Sequence, residues 1–79
     1  MSGKTKQLER LIEVIVRMIP KEQQARDIYG ETASWAPSEM TRILFTHLSQ
    51  EEEKHESKLR AVLKILQKEL EAAKKESKP

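Results

Sequence analysis

The chain contains very few residues that end a helix. Only two glycines and three prolines occur among its 79 residues. Residues that favour strands are sparse and do not alternate with polar ones, whereas apolar residues recur at steps of three and four, the period of an α-helix. We therefore expect an all-α protein built from long helices.

The first helical segment is predicted from about residue 7 to residue 34. Pro20 lies within it and interrupts the pattern. Because proline removes a backbone hydrogen bond and clashes with the preceding turn, we expect a kink near residues 16–20, or two helices that meet there. The apolar stripe of this segment comprises Leu8, Leu11, Ile12, Ile15, Met18, Ile19, Ala25, Ile28, Tyr29 and Ala33.

The only strong loop signal spans residues 34–38. Pro37 disfavours helix at the residue before it, and Ser38 is a typical residue for the start of a new helix. The second segment is predicted from Glu39 to about Glu76, and the short connection predicts an antiparallel hairpin. Its stripe comprises Met40, Ile43, Leu44, Leu48, Leu59, Val62, Leu63, Leu66, Leu70 and Ala73.

The composition raises a question of stability. Hydrophobic residues make up 37% of the chain and charged residues 35%. So small and polar a domain usually needs disulfides, a metal or a partner chain. Cysteine is absent, which excludes disulfides and thiolate metal sites. We expect one domain at residues 7–72, with a flexible N-terminus at 1–6 and a polar tail at 73–79.

Three ionisable residues occupy positions where the stripes call for apolar ones. Glu22 falls on the first stripe, and Glu52 and His55 fall on the second. An unpaired carboxylate in an apolar interior costs several kcal/mol or takes up a proton. The Glu-x-x-His spacing places Glu52 and His55 on one helix face, where both can reach one ion. Since Glu22 lies near the middle of the antiparallel partner helix, the three residues predict a metal site.

One chain supplies only part of such a site. Two chains related by a two-fold axis supply four glutamates and two histidines, the ligand set of a di-iron carboxylate bundle. Four carboxylates also balance the charge of two divalent cations. We therefore expect the hairpin to dimerise into a ferritin-like four-helix bundle with the metal site at the interface.

These residues resemble the half-signature of the ferritin-like superfamily, as in rubrerythrins. The resemblance lies in Glu22, in Tyr29 seven residues later, and in the run Glu-Glu-Glu-Lys-His that ends at His55. The interval of thirty residues between Glu22 and Glu52, on one short hairpin, is similar to the encapsulated ferritins. This resemblance implies homodimers that assemble into decameric rings and oxidise iron(II) for storage inside an encapsulin shell. The chain shows no targeting peptide of the Gly-Ser-Leu type.

The same resemblance implies a role for each residue. Glu22, Glu52 and His55 are expected to be the metal ligands and catalytic residues of a ferroxidase that holds two irons per dimer. Glu52 and His55 would be terminal ligands, Glu22 would bridge or chelate, and Tyr29 would lie just outside the ligands. Carboxylate and imidazole also suit manganese and zinc, so iron follows from the resemblance and not from the ligand types.

Two other functions stay open at this point. One is a metal-free helical-hairpin or coiled-coil interaction protein, and the other is a metal-binding buffer or sensor without turnover. No nucleophile–base pair, phosphate-binding glycine loop, zinc finger or basic recognition helix is present, and the net charge of +2 comes from mixed signs. We therefore expect no nucleic-acid partner.

The sequence predicts neither a membrane partner nor secretion. No apolar run approaches the roughly 20 residues of a membrane span. The first residues also lack the pattern of a signal peptide. We therefore expect a cytoplasmic location, or an encapsulin nanocompartment within the cytoplasm.

Overall fold

Two long α-helices form an antiparallel hairpin in the computed structural model, which describes residues 3–76. Helix α1 spans Gly3–Trp35 and has 33 residues, and helix α2 spans Glu39–Glu76 and has 38. The described residues contain no strand. The predicted all-α hairpin is confirmed. A search of the same residues found no helix long and apolar enough to cross a membrane.

The connection between the helices ends in a reciprocal cap at Ser38. The Ser38 hydroxyl accepts a hydrogen bond from the Thr41 backbone N–H at 3.2 Å, and the Thr41 hydroxyl accepts one from the Ser38 backbone N–H at 3.3 Å. The Ser38 carbonyl accepts the first helical bond, from the backbone N–H of Arg42 at 3.1 Å. Two backbone donors that the helix start leaves unpaired are thereby satisfied, as in a capping box.

Helix α1 is longer and less interrupted than the sequence predicted. It begins at Gly3, so residues 3–6 of the expected flexible N-terminus are helical, which fits the good helix propensity of their lysines. It also runs through Pro20 as a single helix, so the alternative of two helices meeting there is wrong. Val16 and Pro20 are both exposed, so water can reach the carbonyl that proline leaves unpaired. A bend at Pro20 stays a prediction.

Helix α2 begins and ends at the predicted residues, Glu39 and Glu76, so it runs four residues into the expected polar tail. Residues 73–76 are helical because Ala73 is buried against Leu8 and Leu66, and because basic residues in the last turn suit the negative end of a helix. The remaining parts of the predicted termini, 1–2 and 77–79, lie outside the described residues.

The apolar core lies at the end of the hairpin where the chain begins and ends. It consists of the buried Leu8, Leu66 and Ala73, with Ile12, Ile15 and Leu70 packed against them. The molecule is a rod of 64 × 14 × 12 Å with a radius of gyration of 18.0 Å. A compact chain of this length has a radius of about 12 Å.

Since each helix of this rod has one neighbour, much of the two stripes stays in contact with solvent. Trp35, the last residue of α1, is exposed. The exposed large apolar residues are Leu11, Val14, Val16, Ile28, Trp35, Met40, Ile43, Leu44, Leu48, Val62 and Ile65.

The cap at Ser38 gives a first prediction. Ser38→Ala removes the side-chain acceptor, so we expect the free energy of unfolding to fall by about 1 kcal/mol. Urea unfolding at fixed chain concentration measures the change. Thr46→Ala is the control, because its hydroxyl donates only to the Arg42 carbonyl on the exposed surface of α2. Equal loss in both variants would contradict a capping role.

Candidate metal centre

Glu22, Glu52 and His55, called the triad below, come together between the middle turns of the two helices. Each offers one ligand atom, and these atoms all lie within 4.8 Å of one another. The Nδ1 atom of His55 is 3.7 Å from Glu22 Oε2 and 3.7 Å from Glu52 Oε1. The three residues that the sequence singled out thus lie close together, and their role as metal ligands stays a prediction. Within residues 3–76 this is the one group of three or more such side chains close enough to share an ion.

Burial differs among the three residues. The side chains of Glu22 and Glu52 are 17% and 18% exposed, whereas that of His55 is 51% exposed. Glu52 lies on the line of contact between the helices, called the seam below, and His55 lies at its edge. We call the side of the seam that carries Glu22 and His55 the site side. The triad is therefore sheltered from one direction and open to solvent from the other.

The donor set of the triad fits a divalent transition metal. Carboxylate oxygens and one imidazole nitrogen are ligands that iron, manganese and zinc accept, whereas calcium and magnesium prefer oxygen alone. The half-buried carboxylates lie in a region of lower effective dielectric than water, which strengthens their attraction for a cation. One chain offers three ligand groups, and iron commonly takes more.

The seam follows a different set of residues from the one the sequence predicted. The predicted stripe ran through Leu48, Glu52 and His55, but Leu48 and His55 are exposed. The half-buried residues of this part of α2 are Ser49, Glu52 and Glu56. Steps of three and of four both fit a helix, so the sequence did not distinguish these two lines.

Glu56 is a seam residue that the sequence did not reveal. Its side chain is only 13% exposed. It accepts hydrogen bonds from Gln23 Nε2 at 2.9 Å and Arg26 Nη1 at 3.1 Å, both on α1, and from Arg60 Nε at 2.9 Å on α2. The signal in the sequence was its spacing of seven from Leu63, which lies in the same seam.

This environment favours the ionised form of Glu56. The hydrogen bond from Arg60 has the largest effect and lowers the pKa of Glu56 below its usual range, and the bond from Gln23 lowers it further. Burial opposes both effects. The pKa of Arg26 is raised, chiefly by its hydrogen bond to Asp27.

Tyr29 lies two turns of α1 from Glu22, toward the loop. It is half-buried, and its ring packs against Phe45 at a centroid distance of 6.2 Å and a tilt of 46°. It shares the face of Glu22, since seven residues return a helix to within about 20°. A role for Tyr29 beside bound metal stays a prediction. His47 is exposed and is not a member of the triad.

One protein-family model matches most of the chain. A family model described as Rubrerythrin matches residues 13–79, a span that includes the whole triad. The chain belongs to the rubrerythrin family. A search of the curated proteins and of the solved structures found no match.

Membership in the rubrerythrin family confirms the resemblance that Glu22, Tyr29 and the Glu-x-x-His pair indicated. It identifies the hairpin as a ferritin-like domain and points to an iron-related redox function. The triad, a possible carboxylate and histidine metal site, agrees with the iron that rubrerythrin-family proteins typically bind.

The lowered pKa of Glu56 predicts how stability depends on pH. A carboxylate whose pKa is lower in the folded state contributes stability above its unfolded pKa, about 4.3, and loses it as the pH falls through the folded value. The groups facing Glu56 are Gln23, Arg26 and Arg60, and both arginines stay charged throughout. Acidification from about pH 7 to about pH 3 should therefore lower the melting temperature of the natural chain more than that of Glu56→Gln.

Circular dichroism melts of both proteins across this range make the comparison. All other side chains are common to the two proteins, so their effects cancel in the difference. A constant difference in melting temperature at all pH values would contradict the prediction.

Proposed function

We propose that this rubrerythrin-family protein is a ferroxidase. It oxidises iron(II) to iron(III) with oxygen at a di-iron site formed across a homodimer, for iron storage or detoxification. The observation that carries the proposal is the triad, whose donor atoms lie within 4.8 Å of one another in a chain of an iron-binding family.

Both helices would supply ligands to the metal. Glu52 and His55 on α2 would hold each iron as terminal ligands, and Glu22 on α1 would bridge or chelate. Bound iron supplies one-electron redox chemistry with oxygen, which protein side chains do not provide. The exposed edge at His55 offers iron(II), the substrate, a route to the half-buried carboxylates.

A second copy of the chain completes the ligand set. Three ligand side chains leave the coordination of two ions unfinished, whereas two copies bring four glutamates and two histidines, as in di-iron carboxylate bundles. Four carboxylates then offset the charge of two divalent ions without a further group from the protein. The single hairpin therefore fits half of such a site.

The surface around the triad is apolar enough to pack against that second copy. Leu48 and Val62 lie seven residues before and after His55, so they project within about 20° of it on α2. They are 38% and 41% exposed. Leu11 is half exposed and lies within about 20° of Glu22 on α1. A partner seated over the triad would cover these side chains together with the ligands.

The total exposed area of the hairpin also supports pairing with a second copy. The hairpin exposes 6220 Å². A compact monomer of this mass exposes about 4,900 Å². The excess of about 1,300 Å² exceeds the roughly 800 Å² that each partner buries in a standard interface.

Replacement of the ligands tests the site. Glu52→Gln and His55→Ala should abolish both metal-dependent dimerisation and the oxygen consumption that follows addition of iron(II). Glu51→Gln and His47→Ala are the matched controls, because both residues are exposed and lie outside the triad. An oxygen electrode measures turnover, and equilibrium dialysis measures binding.

The outcomes separate the proposed function from its alternatives. Unchanged iron oxidation in both ligand variants would overturn the site. Saturable binding without oxygen consumption would identify a metal buffer. A chain that binds no metal and keeps its oligomeric state in the presence of chelators would be an interaction protein.

The dimer has a test of its own. Native mass spectra should show two metals per pair of chains after anaerobic addition of iron(II), and Leu48→Asp should prevent this pairing. Val16→Asp is the control, since Val16 is 50% exposed yet lies about 120° around α1 from Glu22. Metal-loaded monomers of the natural chain, or equal losses in the two variants, would contradict the interface.

A further inference from the structure

At the height of the triad, contacts cross the seam on both of its sides. On the site side, Glu22 faces His55 at 3.7 Å. On the opposite side, the next residue of each helix makes the second contact, because Gln23 donates to Glu56 at 2.9 Å. Consecutive residues of a helix point about 100° apart. The two contacts therefore require the same rotation of the helices about their axes. Once one contact is made, both helices have the rotation that the other contact needs.

The contact on the opposite side is the stronger of the two in metal-free protein. Glu56 is 13% exposed and is held from α1 by both Gln23 and Arg26, at 2.9 and 3.1 Å. A hydrogen bond to a charged, half-buried group is stronger than one between neutral groups. Glu22 and His55 at 3.7 Å lie beyond hydrogen-bonding distance.

The loop does not set this rotation. The connection of residues 36–38 lies about 20 Å along the rod from Glu22. It determines which turns of the helices are opposite each other. A hydrogen bond weakens steeply when its donor and acceptor leave their preferred geometry, so it resists rotation of a helix about its axis. Near the triad three directional bonds cross the seam: two to Glu56, and one that the Ser49 hydroxyl donates to the Arg26 carbonyl at 2.9 Å.

We infer that Glu56 is a positioning residue: through Gln23 and Arg26 it sets the rotation of α1 that turns Glu22 toward Glu52 and His55. Glu56 is not a metal ligand. The consequence for metal affinity rests on the proposed function, whereas the rotation of α1 is a property of the hairpin alone.

A double substitution removes the polar contact without opening a gap. Gln23→Leu with Glu56→Leu extends the apolar seam, and replacement of a half-buried polar pair by apolar residues is often neutral or stabilising. Arg60→Ala is the matched control, because Arg60 donates to the same Glu56 oxygen at the same 2.9 Å but from α2 itself. Glu56→Gln is the conservative variant, since its amide oxygen can still accept from Gln23.

Two readouts are taken on each full-length protein. The first is the distance between spin labels on Lys21→Cys and Lys54→Cys in metal-free protein, which is labelled cleanly because the chain has no cysteine. Both lysines are exposed. The second is a Co(II) titration followed by visible absorption, which reports both affinity and coordination geometry. Circular dichroism melts accompany both measurements.

In the double variant we expect a melting temperature at or above that of the natural chain, a shifted or broadened label distance, and Co(II) affinity lower by about tenfold. Arg60→Ala and Glu56→Gln should keep the natural distance and spectrum. A role in stability alone would instead move affinity and melting temperature together. Natural distance and Co(II) binding in the double variant would overturn the inference, as would an equal loss of affinity in Arg60→Ala.

Two further outcomes, unfolding of the double variant and failure of the natural chain to bind Co(II), also have a defined consequence. If the double variant loses its helical content, Glu56→Ala takes its place under the same criteria. If the natural chain binds no Co(II), the proposed function fails, and the label distance alone decides whether Glu56 positions α1.

Discussion

A helix with one neighbour can bury only one side of its surface, and this constraint shapes the whole molecule. The stripes predicted for α1 and α2 are wider than the side that the partner helix covers, so Leu48 and Val62 stay exposed. These two side chains lie around His55, on the site side, whereas other exposed apolar residues such as Val16 and Trp35 lie elsewhere. Under the proposed function, the apolar surface at Leu48 and Val62 adjoins the incomplete ligand set, and one partner would cover both.

The residues that form the seam change from apolar to charged along the rod. Near the chain ends it is made of packed apolar residues such as Leu8 and Leu66, which provide most of the hydrophobic burial. At the triad it contains Glu52 and Glu56 instead. Charged groups in a seam add little net stability, because their desolvation offsets their attraction. Under the proposed function, the hairpin thus separates the residues that hold it together from the residues that bind metal and orient its ligands.

The parts that followed from the sequence are those that depend on local chemistry. Pro37 and Ser38 located the start of α2, and the Glu-x-x-His spacing located two of the three residues of the triad. What the sequence did not give depends on contacts between the helices. The line of the seam near His55 depends on the relative rotation of two helices, and the burial of Glu56 depends on a glutamine and an arginine thirty or more residues away in the chain.

The uneven seam also divides the hairpin into halves of different local stability. We expect the half with the apolar cluster to open only at a high free-energy cost. The half near the loop is held by fewer buried apolar contacts, so its amide protons should exchange through local openings of lower free energy. Under the proposed function, metal binds at the boundary between these halves. Its binding energy then appears as closure of the loop half, because a ligand that binds the closed form suppresses opening by mass action. Iron supply would in this way control how much of the rod is ordered at any moment.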